Sequence, residues 1–262
     1  STIQVYYVMV ISAFDDIHLD TVLKNLEING HYYNKNKIIK VNLLLIIMNG
    51  KIKDKKEDYI ISYLKNKVNI YVLRTSPPFG RSIGLKMGYQ YIRTTLESNN
   101  NNNDNKHDII VFSLDASIKL PNDFTKLIIK SVSCGKVAFA PVCKKNNKWV
   151  EGGYGMVGMC LSDYFQLSNG WREKWWYKWG AEDVDIITQI QKKLLIHRPK
   201  VENYLHLGSK KSRKHNGNYY KGKNLYPSYL PVVPITDVMN NNGEDSNMIK
   251  KIEKNQDFIQ SK

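Results

Sequence analysis

The chain's 262 residues suffice for one large domain with a substantial core, and 42% apolar with 11% aromatic residues fit a globular protein. No run of about 18 apolar residues occurs, which excludes a membrane-spanning helix. A net charge of +15 favours an anionic partner, yet much of the excess is lysine mixed with asparagine, as in Asn34-Lys35-Asn36-Lys37. That mixture also arises from composition alone, so charge does not choose the function.

Val5 to Ser12 is a nearly continuous apolar run and predicts a buried parallel strand. A helix opened by Ser12 or Asp15 then runs through Leu23 and Leu26 to Gly30. Val41 to Met48 predicts a second buried strand, stopped by the turn signal Asn49-Gly50. Lys53 to Lys65 has helical spacing, with Ile60, Ile61 and Leu64 on one face, and Val68 to Leu73 predicts a third strand. A β-α-β-α-β order implies a parallel sheet with helices on both faces.

The loop Pro77-Pro78-Phe79-Gly80-Arg81 leads into a helix in which Gly84 and Gly88 share a face. An arginine beside a glycine at a helix start suits a pyrophosphate or ribose; a surface arginine is the plainer reading. Ser98 to Asn105 is an asparagine run and predicts an exposed loop. Asp108 to Asp115 predicts a strand ending in an aspartate, and ligands sit at the carboxyl ends of strands in such sheets. Lys136 to Val142 and Gly155 to Leu161 predict two more strands, with a basic loop, Lys144 to Lys148, between them. Cys134, Cys143 and Cys160 are odd in number and lack CxxC spacing, so neither a disulfide framework nor a zinc site is predicted.

Trp175-Trp176-Tyr177-Lys178-Trp179-Gly180 runs directly into Glu182, Asp183 and Asp185. Ile186, Ile187, Ile190, Leu194 and Leu195 then recur at helical spacing, which places the three carboxylates in a helix's first turn, where anions are favoured. One reading is an acidic helix cap beside core tryptophans. The other is a sugar site, with flat aromatic faces for a pyranose ring and a carboxylate for its hydroxyl protons. His206 sits on a predicted strand, Tyr204 to Gly208, followed by the basic segment Lys210 to Lys214. From Val238 onward the chain is polar and asparagine-rich, so residues 1–236 form the predicted domain and 237–262 a tail. The absence of a leader and of Asn-x-Ser/Thr sequons leans the expectation toward the cytosol, with a trimmed Golgi-type luminal domain as the other reading.

Phe79-Gly80-Arg81-Ser82-Ile83-Gly84-Leu85, Phe112-Ser113-Leu114-Asp115-Ala116-Ser117, Tyr154-Gly155-Met156-Val157, Asn169-Gly170-Trp171 and Trp179-Gly180-Ala181-Glu182-Asp183-Val184-Asp185 occur in one order, with His206 last. In this the chain resembles the GT-A-fold glycosyltransferases, most of all the group holding the β-1,4-galactosyltransferases and the chondroitin-type N-acetylgalactosaminyl- and glucuronosyltransferases. The resemblance runs from Val5 to roughly Lys214. It implies an α/β fold with a mostly parallel central sheet, a nucleotide-binding half over about 1–120 and an acceptor half over about 121–236.

It also implies an inverting transferase using a UDP-sugar donor and a glycan or glycoconjugate acceptor. Charge alone would suggest a nucleic-acid partner, and no motif with aromatics interleaved among basic residues supports one. Asp183 matches the family's catalytic base and Glu182 the neighbour that holds sugar hydroxyls. Ser12, Arg81, Asp115, Ser117, Tyr154 and Gly155 fall in the donor set, and Trp176, Trp179 and Gly180 in the acceptor set. Asp115 and His206 match positions that hold Mn²⁺ or Mg²⁺. Ser117 stands where the family's Asp-x-Asp has its second aspartate, and serine is a poorer ligand for a hard cation. Ser12 to Asp16, acidic here, replaces an arginine-containing loop.

Overall fold

A computed structural model describes residues 2–12, 19–34, 39–48, 55–75, 80–99, 108–152, 155–172 and 181–207. In chain order the first half gives β1 (Ile3–Ser12), α1 (Leu19–Asn34), β2 (Ile39–Met48), α2 (Lys55–Leu64), β3 (Asn69–Thr75), α3 (Arg81–Asn99), β4 (Ile109–Leu114), β5 (Ile118–Lys119) and α4 (Phe124–Ser131). The second gives β6 (Val137–Phe139), β7 (Val142–Lys145), β8 (Lys148–Trp149), β9 (Gly158–Cys160), α5 (Leu161–Gln166), α6 (Ala181–Gln191), β10 (Leu195–His197) and β11 (Lys200–His206). Seven strands form one sheet in the order β10-β6-β9-β4-β1-β2-β3. Every neighbour in it is parallel except β9, which runs antiparallel to β4 and β6. This is a mostly parallel, helix-flanked α/β sheet. A smaller sheet, β5-β11-β7-β8, lies beside it.

Side chains alternate across a strand, so β1 feeds two cores. Val5, Tyr7 and Met9 pack with Leu23 and Leu26 of α1, Ile60 and Leu64 of α2, and Phe124 and Ile128 of α4. Tyr6, Val8 and Val10 face the other way, toward Leu85, Tyr89 and Ile92 of α3 and Ile186, Ile187 and Ile190 of α6. Both faces are therefore covered, which is why β1 and β2 read as unbroken apolar runs rather than as alternating ones. Gly88 lets α3 lie close: a Cβ there would come within 2.5 Å of Ile46 Cδ1 and 2.9 Å of Val8 Cγ1.

Several expectations are corrected. The basic loop at Lys144 to Lys148 is the β7–β8 hairpin, turned by Asn146 and Asn147 at φ +49° and +61°, a conformation asparagine tolerates better than most residues. Leu195 is not a continuation of α6 but the first residue of β10, paired with Val137. Asp185 falls in the second turn of α6, leaving Glu182 and Asp183 in the first. Cys134 and Cys160 form a disulfide, with Cα atoms 5.3 Å apart across 26 residues, while Cys143 is free and buried. That pairing joins the turn after α4 to the end of β9, a proximity no cysteine spacing encodes. The expected loop from Ser98 to Asn105 begins within α3, which extends to Asn99; residues 100–107 and the expected tail lie outside the described residues.

The buried His197 of β10 makes a prediction. It is 2% exposed, and burial lowers its pKa from 6.5 to about 4. The native state therefore holds this imidazole neutral where an unfolded chain would protonate it. Its contribution is present above the unfolded value and is lost as pH falls toward 4, by up to about 3 kcal/mol. Denaturant midpoints measured from pH 7 down to about 4 should fall less steeply for His197→Leu than for the parent, whichever way the absolute stability moves.

Candidate active site

β4 delivers Asp115 at its carboxyl end. The antiparallel register Phe112↔Gly158 carries the residues before β9 back past that end, so Gly155 returns to the level of Asp115. α3 starts there too: Gly80 accepts the first helical bond, from Gly84 N–H at 2.9 Å, and Arg81 is the first helical residue. From the far side α6 presents Glu182 and Asp183 in its first turn, where the helix dipole favours negative charge.

These elements meet at Arg81. Its Nη1 donates to Asp183 Oδ1 at 2.9 Å, its Nη2 donates to the carbonyl of Gly155, and the guanidinium lies 5.5 Å over the Trp171 ring. The Arg81 and Asp183 side chains are 14% and 23% exposed, enclosed but reachable from solvent. Gly155 is wedged against the pair: a Cβ on it would stand 2.7 and 2.8 Å from the two carboxylate oxygens and 3.0 Å from Nη1. Burial raises the Asp183 pKa, Arg81 opposes that through its charge and hydrogen bond, and Asp115 adds to the rise; the net direction is upward. For Arg81, burial acts to lower the pKa, but Asp183, Asp115 and Glu182 outweigh it and the guanidinium is held charged. A carboxylate with raised proton affinity, oriented by a fixed cation at a helix N-terminus, has the properties of a general base.

Other predicted residues are placed differently. Glu182 is buried. Asp185 is engaged away from Arg81, 3.1 Å from Arg172 Nε and accepting from Gln189 Nε2 at 2.9 Å. The same Gln189 accepts from Asn169 N–H and donates to the Gly170 carbonyl, fixing the turn before Trp171, with Gly170 at φ +55°. Ser12 ends β1 opposite Met48, and its side chain is not among those described. Tyr154, Trp176, Trp179 and Gly180 lie outside the described residues. Ser113 was not predicted; the signal available was a lone hydroxyl inside the apolar run Ile109 to Leu114.

Ser117 donates to Asp115 Oδ1 twice, from its N–H at 2.8 Å and its Oγ at 2.7 Å, closing a local turn on that oxygen. The β5–β11 pairing sets His206 opposite Ile118, and Leu207 N–H bonds the Ser117 carbonyl at 2.9 Å, so the backbone brings His206 to this turn. Among the described residues, no three His, Cys, Asp or Glu side chains converge as a metal-holding group. A hard divalent cation takes about six ligands. The described residues do not fit a metal centre held by the protein alone.

No family model matches the chain. Over 147 residues it is 26% identical to mouse (Mus musculus) N-acetyl-beta-glucosaminyl-glycoprotein 4-beta-N-acetylgalactosaminyltransferase 1, a match spanning 52% of this chain and 13% of that protein. Among solved structures, the nucleoside-diphosphate-sugar pyrophosphorylase from Vibrio cholerae RC9 aligns with a TM-score of 0.45 and 8% identity, over 78% of this chain and 95% of that one. The galactosyltransferase LgtC, solved with donor and acceptor sugar analogs, aligns with a TM-score of 0.38 and 13% identity, over 74% and 73%.

Proposed function

We propose that this chain is a glycosyltransferase that moves a hexose, N-acetylhexosamine or uronic acid from a UDP-sugar to a glycan hydroxyl with inversion, using Asp183 as general base. The observation that carries the reading is the Arg81–Asp183 pair at the carboxyl edge of the sheet, packed on Gly155 and next to Asp115. The mouse relative, named as an N-acetylgalactosaminyltransferase, supports the same class of reaction. In the proposed step an acceptor hydroxyl gives its proton to the Asp183 carboxylate as its oxygen attacks the anomeric carbon. The anomeric C–O bond to the diphosphate breaks with its electron pair, and UDP leaves. Arg81 lies beside the reacting centre as a fixed cation facing the donor, and Glu182 holds sugar hydroxyls. Trp176, Trp179 and Gly180 line the acceptor, and Tyr154 the donor. Asp115 and His206 are the residues a donor-bound Mn²⁺ or Mg²⁺ would meet, and no step here depends on one.

The test is UDP release from a panel of UDP-sugars with glycan acceptors, with and without Mn²⁺. Donor-dependent release with a product of inverted anomeric configuration is expected, and folded protein that releases no UDP with any donor refutes the reading. A second reading rests on Ser117, whose hydroxyl closes on Asp115 in place of a second carboxylate. It makes the chain a degenerate GT-A domain that binds acidic glycans or a partner protein, and it predicts glycan binding without turnover.

A further inference from the structure

Ser113 is fully buried in β4, with both side-chain and backbone contacts to the residues that precede β9. Those residues, 155–157, stand outside the strand, so their polar backbone needs partners from elsewhere. Ser113 N–H donates to the Val157 carbonyl at 3.0 Å, and Ser113 Oγ accepts from Val157 N–H at 2.9 Å. The hydroxyl has one proton to give and two carbonyls in reach, Gly155 at 2.9 Å and Val157 at 3.3 Å. The Val157 carbonyl already receives Ser113 N–H, so the shorter contact, to Gly155, takes the proton. The Gly155 carbonyl thereby has two donors, the Ser113 hydroxyl and Arg81 Nη2, which fill its two lone pairs.

We infer that Ser113 is a positioning residue: it fixes the Gly155 carbonyl so that Arg81 is held in register with Asp183. The inference rests on the reading of Asp183 as the base. A serine that only satisfied buried backbone would have no reason to share its acceptor with a guanidinium in the active site. The groups facing Arg81 and Asp183 are Asp115 after β4, Glu182 on α6 and Tyr89 on α3, and of these Tyr89 also lies within reach of the Ser113 hydroxyl.

The experiment compares the parent with Ser113→Ala, Ser113→Thr and the near-isosteric weak donor Ser113→Cys. One readout needs no activity: the Arg81 guanidinium signals in ¹⁵N–¹H spectra, assigned with Arg81→Lys. Held by two bonds, they should show slow rotation in the parent and in Ser113→Thr, and averaged rotation in Ser113→Ala and Ser113→Cys. The other readout is the acid limb of kcat/KM. It should move to higher pH, by roughly one unit, when Arg81 ceases to hold Asp183 ionised, and Thr should restore it. Ser113→Ala or Ser113→Cys with lowered stability but unchanged Arg81 signals overturns the inference. If Ala does not fold, Cys alone decides on the same criterion. Absence of transfer by the parent would refute the proposed reaction, and the Arg81 spectra would still decide the role of Ser113.

Discussion

Asp183→Asn should abolish most transfer, lowering kcat by about 10²- to 10⁴-fold, while UDP still protects the protein against thermal unfolding. The amide keeps the shape of the carboxylate, and its oxygen can accept from Arg81 Nη1 as Asp183 Oδ1 does at 2.9 Å. What it loses is the ability to take a proton from an acceptor hydroxyl, so the loss belongs to the chemical step rather than to the fold or donor affinity. The parent's pH profile carries the same signature. Burial and Asp115 raise the Asp183 pKa, and only the ionised form accepts a proton. Activity is therefore present above that pKa and falls as pH drops through it, with a midpoint above the ordinary carboxylate range. Initial rates across pH for the parent, with thermal shift by UDP for both proteins, check the assignment. An Asn variant with full activity would remove Asp183 from the base position.

Much of the framework around this candidate site is legible in the chain, for identifiable reasons. Val5 to Ser12 and Val41 to Met48 are apolar throughout because both faces of the sheet are covered, and that leaves a strong local signal. Arg81, Asp115 and Asp183 are each marked by a boundary, a helix start or a strand end, that a sequence can show. What it could not show is that Arg81 and Asp183, 102 residues apart, form a pair. Two readings had stood open for Arg81, surface cation or ligand group, and its partner decides against the first. Asp185 had looked equivalent to Asp183, but two positions along α6 turn it toward Arg172 and Gln189. The Cys134–Cys160 bridge and the three-residue strand β10 were missed because each exists only through a distant partner, in β10's case Val137 to Phe139. Ser113 was hidden in plain composition: one hydroxyl in an apolar strand is unremarkable until the carbonyls it serves are located.

Gly155→Ala should lower kcat/KM by about 10- to 100-fold although it touches no charge, because displacing reacting groups by about 1 Å costs on that order. Gly155 does not occupy the left-handed region, so alanine's backbone is unstrained there and the effect is steric. The methyl would stand 2.7 and 2.8 Å from the Asp183 oxygens and 3.0 Å from Arg81 Nη1, too close on every side. Asp183 cannot retreat freely, since its helix is anchored by buried Ile186 and Ile187, and Arg81 begins α3 above buried Leu85. The methyl must therefore separate the pair or push both groups off position. Removing Arg81 from the carboxylate raises the Asp183 pKa further, so the acid limb of kcat/KM should shift to higher pH in the alanine variant. The loss should be smaller than for Asp183→Asn, because the base survives. In the double variant the two losses should fail to add: with no proton acceptor left to misplace, the methyl has almost nothing further to remove. Additive losses in that cycle would mean that Gly155 acts on the donor directly, independently of the Arg81–Asp183 pair.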